Sequence, residues 1–198
     1  MNGVVLISGN GSNLQSIIDN AKSIDLNICC VVSNKKDAFG LKRAAKASIP
    51  CIALDETLFD SKLGFDQEIM KVIDNYQAEV IILAGYMRIL SADFISKYSG
   101  KILNIHPSLL PKFPGLNTHQ RAIDASEKKH GASVHFVTEE VDGGPVIAQQ
   151  SVNIDSTDNS QTLAKKVLKK EHVLYPQVIG WYTQGRLKLL NNKTVILD

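Results

Sequence analysis

Long apolar runs, a charge excess of one sign and pairable cysteines are all missing from this 198-residue chain. No apolar stretch approaches the roughly 20 residues that a membrane-spanning helix needs, so a transmembrane reading falls. The opening MNGVVLISGNG has neither the basic start nor the long apolar stretch of a secretory signal. Lys and Arg number 22 against 20 Asp and Glu, and a net charge of +2 argues against a nucleic-acid binder, whose domain is plainly basic. Three cysteines cannot all pair internally, and Cys29 and Cys30 are adjacent in an apolar run. Reduced thiols acting as small core hydrophobes in a reducing cytoplasm are therefore expected, Cys51 included. His119, His130, His135 and His172 form no metal-ligand spacing with the cysteines, and no metal is expected. What remains is an ordinary globular composition, 44% hydrophobic and 21% charged, at a length that makes one self-sufficient core.

Val4-Val5-Leu6-Ile7 reads as a buried strand closed by the turn Ser8-Gly9-Asn10-Gly11. Residues 13–21 then place Leu14, Ile17, Ile18 and Ala21 at helical spacing. Strands are expected at 28–32, 51–54, 80–84 and 101–105, alternating with helices near 41–47, 66–76 and 92–97. After His106, Pro107, Pro111, Pro114 and Gly115 break all periodicity, so 107–118 reads as an irregular loop. Strands at 133–138 and 146–154 flank an Asp142-Gly143-Gly144-Pro145 turn. A helix over 162–179 follows, with Pro176 near its end, and a hairpin about Asn191-Asn192 closes the chain. No repeat, linker or low-complexity tract interrupts 1–198, which is read as a single domain. The class is α/β: an open, mostly parallel Rossmann-like sheet with helices on both faces, mixed in the C-terminal half.

Gly9-Asn10-Gly11-Ser12-Asn13-Leu14 follows a strand and opens a helix, where free N–H groups and the helix dipole favour an anion. It is not a dinucleotide fingerprint. Leu14 stands in the slot of the third glycine, and the second strand ends in Ser33-Asn34 without an acid for a ribose hydroxyl, so no nicotinamide is expected. A phosphate monoester fits better; the plain alternative is a glycine turn with Ser12 as the helix cap. Asn104 and His106 are two apart at a strand end and so face one cleft, offering amide and imidazole donors to an oxyanion. Asp142, before two glycines, could keep His106 protonated or relay protons; the alternative is a simple hairpin turn. Lys165, Lys166, Lys169 and Lys170 read as a solvated helix face.

Taken in order, Ile7-Ser8-Gly9-Asn10-Gly11-Ser12-Asn13-Leu14, Ala84-Gly85-Tyr86-Met87-Arg88-Ile89-Leu90 and Leu103-Asn104-Ile105-His106-Pro107-Ser108-Leu109-Leu110-Pro111 resemble the phosphoribosylglycinamide formyltransferases of purine biosynthesis. Ser133-Val134-His135-Phe136-Val137, Val141-Asp142-Gly143-Gly144-Pro145 and Glu171-His172 continue the match, which runs from residue 3 to residue 187. The resemblance implies transfer of a formyl group from 10-formyltetrahydrofolate, as co-substrate, to the amine of glycinamide ribonucleotide. It implies a phosphate-binding half over 1–100 and a catalytic, folate-binding half over 101–198. By position it makes Asn104, His106 and Asp142 catalytic, and gives the ribonucleotide to Gly11, Ser12, Asn13 and Glu171. Folate contacts fall on Met87, Arg88, Ile89 and Leu90, on Asn104, and on Thr138, Glu139, Glu140, Val141 and Asp142. Lys62 falls where some relatives place an arginine near the folate's glutamate tail, keeping the charge without the bidentate geometry. Asn117 stands where relatives commonly have histidine. Partners are small molecules, with a monomer or homodimer expected and neither nucleic acid nor membrane. Related chemistries are a methionyl-tRNA formyltransferase, which adds an RNA-binding domain, a formyltetrahydrofolate deformylase, and a catalytically silent binding module.

Overall fold

The computed structural model describes residues 1–190 and 194–197. Its first half is a strict alternation: β1 (Asn2–Ile7), α1 (Ser12–Asn20), β2 (Asn27–Ser33), α2 (Phe39–Lys46), β3 (Cys51–Ala53), a 3-10 turn (Glu56–Leu58), α3 (Lys62–Asn75), β4 (Val80–Leu83), α4 (Ala92–Lys97) and β5 (Ile102–His106). The second half has α5 (Thr118–Asp124), β6 (Lys129–Phe136), β7 (Val146–Asn153), α6 (Ser160–Thr183) and a separate pair, β8 (Leu187–Leu190) and β9 (Thr194–Leu197). Seven strands form one sheet in the order β3-β2-β1-β4-β5-β6-β7. β1 to β5 are parallel, while β6 and β7 run antiparallel to their neighbours, so the expected mixed α/β sheet is present.

Strand alternation builds two cores, because successive side chains leave opposite faces. In β1, Val5 and Ile7 join Leu14, Ile17, Tyr175 and Ile179 beneath α1 and α6. Val4 and Leu6 join Phe65, Ile69, Ile73 and Phe94 beneath α3 and α4. β4 is buried along its whole length, which is why its sequence is an unbroken apolar run. Strand order reverses between β1 and β4, and the carboxyl ends of such a pair leave a crevice for ligand. The Ser8–Asn13 turn and the residues after β4 both open there.

Several boundaries differ from expectation for stated reasons. Pro176 lies inside α6, which continues to Thr183. Tyr175, Val178 and Ile179 around it are fully buried, and that packing outweighs the lost backbone bond. β6 starts four residues earlier than read and ends at Phe136, so 137–145 is a long connection rather than a tight turn. α5 was not anticipated from the sequence. Cys30 is buried, and burial foremost pushes its thiol up to about 11, but Cys51 is exposed on edge strand β3 and is no core residue. The Asn191-Asn192 turn lies outside the described residues.

α6 also fastens the sheet where the cleft opens. The Tyr175 Oη lies 2.9 Å from the carbonyl oxygens of both Leu83, at the end of β4, and Leu103, near the start of β5. Tyr175→Phe should cost about 1–2 kcal/mol, because a buried carbonyl loses its donor while the ring volume stays. Urea unfolding should show a lower midpoint with an unchanged slope; an unaltered midpoint would mean that the hydroxyl holds nothing.

Candidate active site

The turn after β1 explains its own glycine. Gly11 takes a left-handed conformation (φ 73°) at the helix cap position, and no side chain caps α1. Ser12 is therefore the first helical residue, not the cap, and the first turn lines a cleft of about 210 Å³. Ser8–Asn13 line one side of that cleft, and Ala84, Gly85 and Met87 line the other. The position that a dinucleotide fold gives to an acid has another use here. Buried Asn34 accepts a hydrogen bond from the Ser8 hydroxyl at 2.6 Å, and that hydroxyl accepts the Met87 N–H at 2.8 Å. One serine thus links the two walls.

Asn13 and Glu171 meet across 158 residues. The Asn13 amide donates to the Glu171 carboxylate at 2.7 Å, and both side chains are buried. Burial pushes the Glu171 carboxyl above the ordinary glutamate value, the Asn13 hydrogen bond opposing it.

The segment 87–90 divides by side-chain direction. Met87 and Ile89 are 70% and 60% exposed, an apolar surface with nothing of the described chain packed on it. Leu90 is buried, and Arg88 turns inward, paired with Glu56 and stacked 4.2 Å from the centre of the Phe65 ring. Ser91 N–H donates to buried Asp66 at 2.7 Å, which pins the far end of the segment. In 138–142, Glu139, Glu140 and Val141 are exposed, Thr138 is half-buried and Asp142 points inward. Lys62 opens α3 with its side chain exposed.

Asn104, His106 and Asp142 do come together. Asp142 takes a left-handed conformation (φ 52°), which aspartate tolerates. Its carboxylate accepts the Gly115 N–H at 2.8 Å and lies 3.3 Å from His106 Nδ1 and 3.6 Å from His135 Nε2. His106 Nε2 is 2.9 Å from the Phe113 carbonyl. His135 was missed as a site residue. Its Nδ1 lies 2.8 Å from the Phe136 carbonyl oxygen and its Nε2 3.0 Å from the Asn104 amide nitrogen. Only strand pairing could have flagged it: Asn104 stands opposite His135, and His106 opposite Ser133, in the antiparallel β5–β6 register. Ser133 in turn donates to Ser108 O and accepts from Leu110 N, seating the loop that follows His106. Asn117 caps α5 at φ 57°, a backbone region that asparagine enters readily.

Electrostatics revise one expectation. Burial alone raises the Asp142 carboxyl, but the His135 ring, the Gly115 N–H and His106 outweigh it and hold it below the ordinary value. For His106, burial prevails over the Phe113 carbonyl and Asp142 and pushes the ring below 6.5. Burial and the Asp142 carboxylate thus act on the His106 ring in opposite directions. Both ring nitrogens nevertheless face acceptors, so a proton taken up during reaction meets a prepared site.

These features belong to an α/β enzyme whose glycine turn lines one cleft and whose Asn104, His106 and Asp142 meet at the end of β5. A formyl transferase family model matches residues 1–179. The phosphoribosylglycinamide formyltransferase of Escherichia coli (strain K12) is 52% identical over 97% of this chain and 92% of its own length. The Haemophilus influenzae protein of that name is 48% identical over 95% of this chain and 90% of its own. The solved phosphoribosylglycinamide formyltransferase of Coxiella burnetii superposes with a TM-score of 0.96 at 48% identity, covering 100% of this chain and 93% of its own. The chain belongs to the formyl transferase family.

Beneath the 107–117 loop, His130 is fully buried, its ring 5.1 Å from that of His119 and 6.1 Å from that of Phe113. Burial, then His119, push it down to about 4, the Pro107 carbonyl and Glu127 opposing. An unfolded chain takes up this proton near 6.5, whereas the folded one resists until about 4. His130 therefore supports folding above pH 6.5, and that support drains as pH falls towards 4. Urea midpoints should drop between pH 7 and 5, and His130→Phe should flatten the drop; an equal slope in both proteins would contradict the assignment.

Proposed function

We infer that this chain transfers the formyl group of 10-formyltetrahydrofolate to the amine of N1-(5-phospho-D-ribosyl)glycinamide, a step of purine biosynthesis. Two observations carry the reading: Asn104, His106 and Asp142 meet at the end of β5, and an uncapped helix start lines the cleft at the end of β1 in the same sheet. 10-Formyltetrahydrofolate brings the activated formyl carbon; no further cofactor enters the scheme. Exposed Met87, Ile89 and Val141 suit a flat heterocycle, which removes that apolar surface from water. Arg88 and Leu90 serve this site through their backbone, since their side chains turn inward. Asn104, Thr138, Glu139, Glu140 and Asp142 complete the folate side, and Lys62 is assigned to the carboxylates of its glutamate tail.

On the other side, Gly11, Ser12 and Asn13 hold the ribonucleotide phosphate through first-turn N–H groups, and Glu171 holds the substrate beyond it. Holding both substrates supplies much of the acceleration, since a well-oriented amine has an effective concentration of roughly 10⁵ M or more. Asn104, its amide nitrogen 3.0 Å from the His135 ring, offers an N–H to the carbonyl oxygen as it turns negative. His106, neutral at rest, receives the amine proton, and Asp142 and the Phe113 carbonyl bond the two N–H groups of the imidazolium. The proton then passes to the departing folate nitrogen. No side chain forms a covalent bond to the formyl carbon.

His106→Ala and Asp142→Ala should lower kcat on the order of 100- to 1000-fold while both substrates still bind. Rates at saturating substrate, with binding followed by calorimetry, decide this. A His106→Ala enzyme with wild-type kcat would remove the proton role.

A further inference from the structure

Arg43 lies outside every motif considered above, yet it grips the loop assigned to phosphate. The start of α2 packs directly on that loop. Gly40 N–H donates to the Gly9 carbonyl at 3.0 Å, and a Cβ on Gly11 would come within 2.6 Å of Gly40 Cα. A Cβ on Gly40 would in turn strike Ile7, so two bare glycines let helix and loop touch. One turn further along α2, Arg43 spreads its guanidinium over three acceptors. Nε donates to the Asn10 carbonyl at 2.9 Å, one terminal nitrogen to the Asn10 side-chain oxygen at 3.0 Å, and the other to Gln15 at 3.2 Å. The Phe39 ring backs the group, its centre 5.0 Å away.

Two consequences follow for an anion in the cleft. A trans peptide sets its N–H opposite its C=O, so binding the Asn10 carbonyl to Arg43 turns the Gly11 N–H to the other side. Gly11 lines the cleft, whereas Arg43 lines a separate groove behind the loop with Gln15, Ser16 and His172. The loop is a thin partition between them, and Ser12 borders both. The guanidinium is also one hydrogen bond from the backbone of a segment, residues 9–13, that contains no basic side chain of its own. Asp19 is the acid on that groove, engaged by the Gln15 amide at 2.8 Å.

We propose that Arg43 is a positioning residue for the ribonucleotide phosphate, acting through the Asn10 carbonyl and by its charge behind the loop, without touching the ligand. This rests on the assignment of the Gly11-Ser12-Asn13 loop to the phosphate of glycinamide ribonucleotide. A wild-type enzyme that formylates that substrate establishes the assignment's premise; one that does not overturns the functional reading itself.

Steady-state kinetics of wild type, Arg43→Lys and Arg43→Met, each substrate varied at saturation of the other, test Arg43 separately. Arg43→Met should raise KM for the ribonucleotide about tenfold or more, as expected for loss of charged hydrogen bonds. Its kcat should stay within about twofold and its KM for 10-formyltetrahydrofolate should not move, since uniform binding is lost on one side only. Arg43→Lys keeps the charge but cannot bond three acceptors at once, and its KM should fall between the two. Raising ionic strength should increase the ribonucleotide KM of wild type and Arg43→Lys more steeply than that of Arg43→Met. An unchanged ribonucleotide KM in Arg43→Met, or equal rises for both substrates, would overturn the proposal.

Discussion

A half-buried carboxylate is tolerated only when its charge is answered, and the cleft is organised around answering one. Asp142 draws the Gly115 N–H from the loop after β5, His106 from the end of β5 and His135 from β6. Two strand residues and a loop N–H are brought to one point, where a single anion finds its partners. Asn104 is then placed through His135, and the Phe113 carbonyl is placed against His106 by the same loop that supplies Gly115. Remove the carboxylate, and the loop, the imidazole and the amide each lose a reference point.

Burial gives the set its chemical character. The same enclosure that strengthens each hydrogen bond also disfavours charge on His106, while its partners hold the carboxyl beside it below the ordinary value. A neutral imidazole can take a proton; an imidazolium already formed cannot. The acceptors on both of its nitrogens lower the cost of the charge when it appears, which is help given during the reaction rather than before it. A crevice opens where strand order reverses between β1 and β4, and Ser8 joins its walls with one hydroxyl.

What could be read from the sequence was what depends on neighbours along the chain. The glycine turn into α1 was legible because a left-handed residue before a helix needs glycine. Asn104 and His106 were legible because strand residues two apart share a face. Asp142 was visible as an acid before two glycines, but its partners were not. His135 carries no local signal of its place, because it stands opposite Asn104 only in a strand pair formed at a distance. The side-chain direction of Arg88 was not legible, because Glu56 and Phe65 reach it only through the fold. Pro176 read as a helix end because local rules cannot see that Tyr175 and Val178 are sealed in the core. Arg43 left no local signal at all, since its acceptors belong to a loop 33 residues earlier.

The protonation state of His106 is the hinge of this account, and nitrogen NMR of the ring measures it. In protein labelled at histidine nitrogens, with His106 assigned by a His106→Asn spectrum, the account predicts one protonated and one unprotonated ring nitrogen at pH 7. It further predicts titration below 6.5, beneath the ordinary histidine value. A ring with both nitrogens protonated at pH 7 would contradict it, and would make His106 a donor at rest rather than the acceptor of the amine proton.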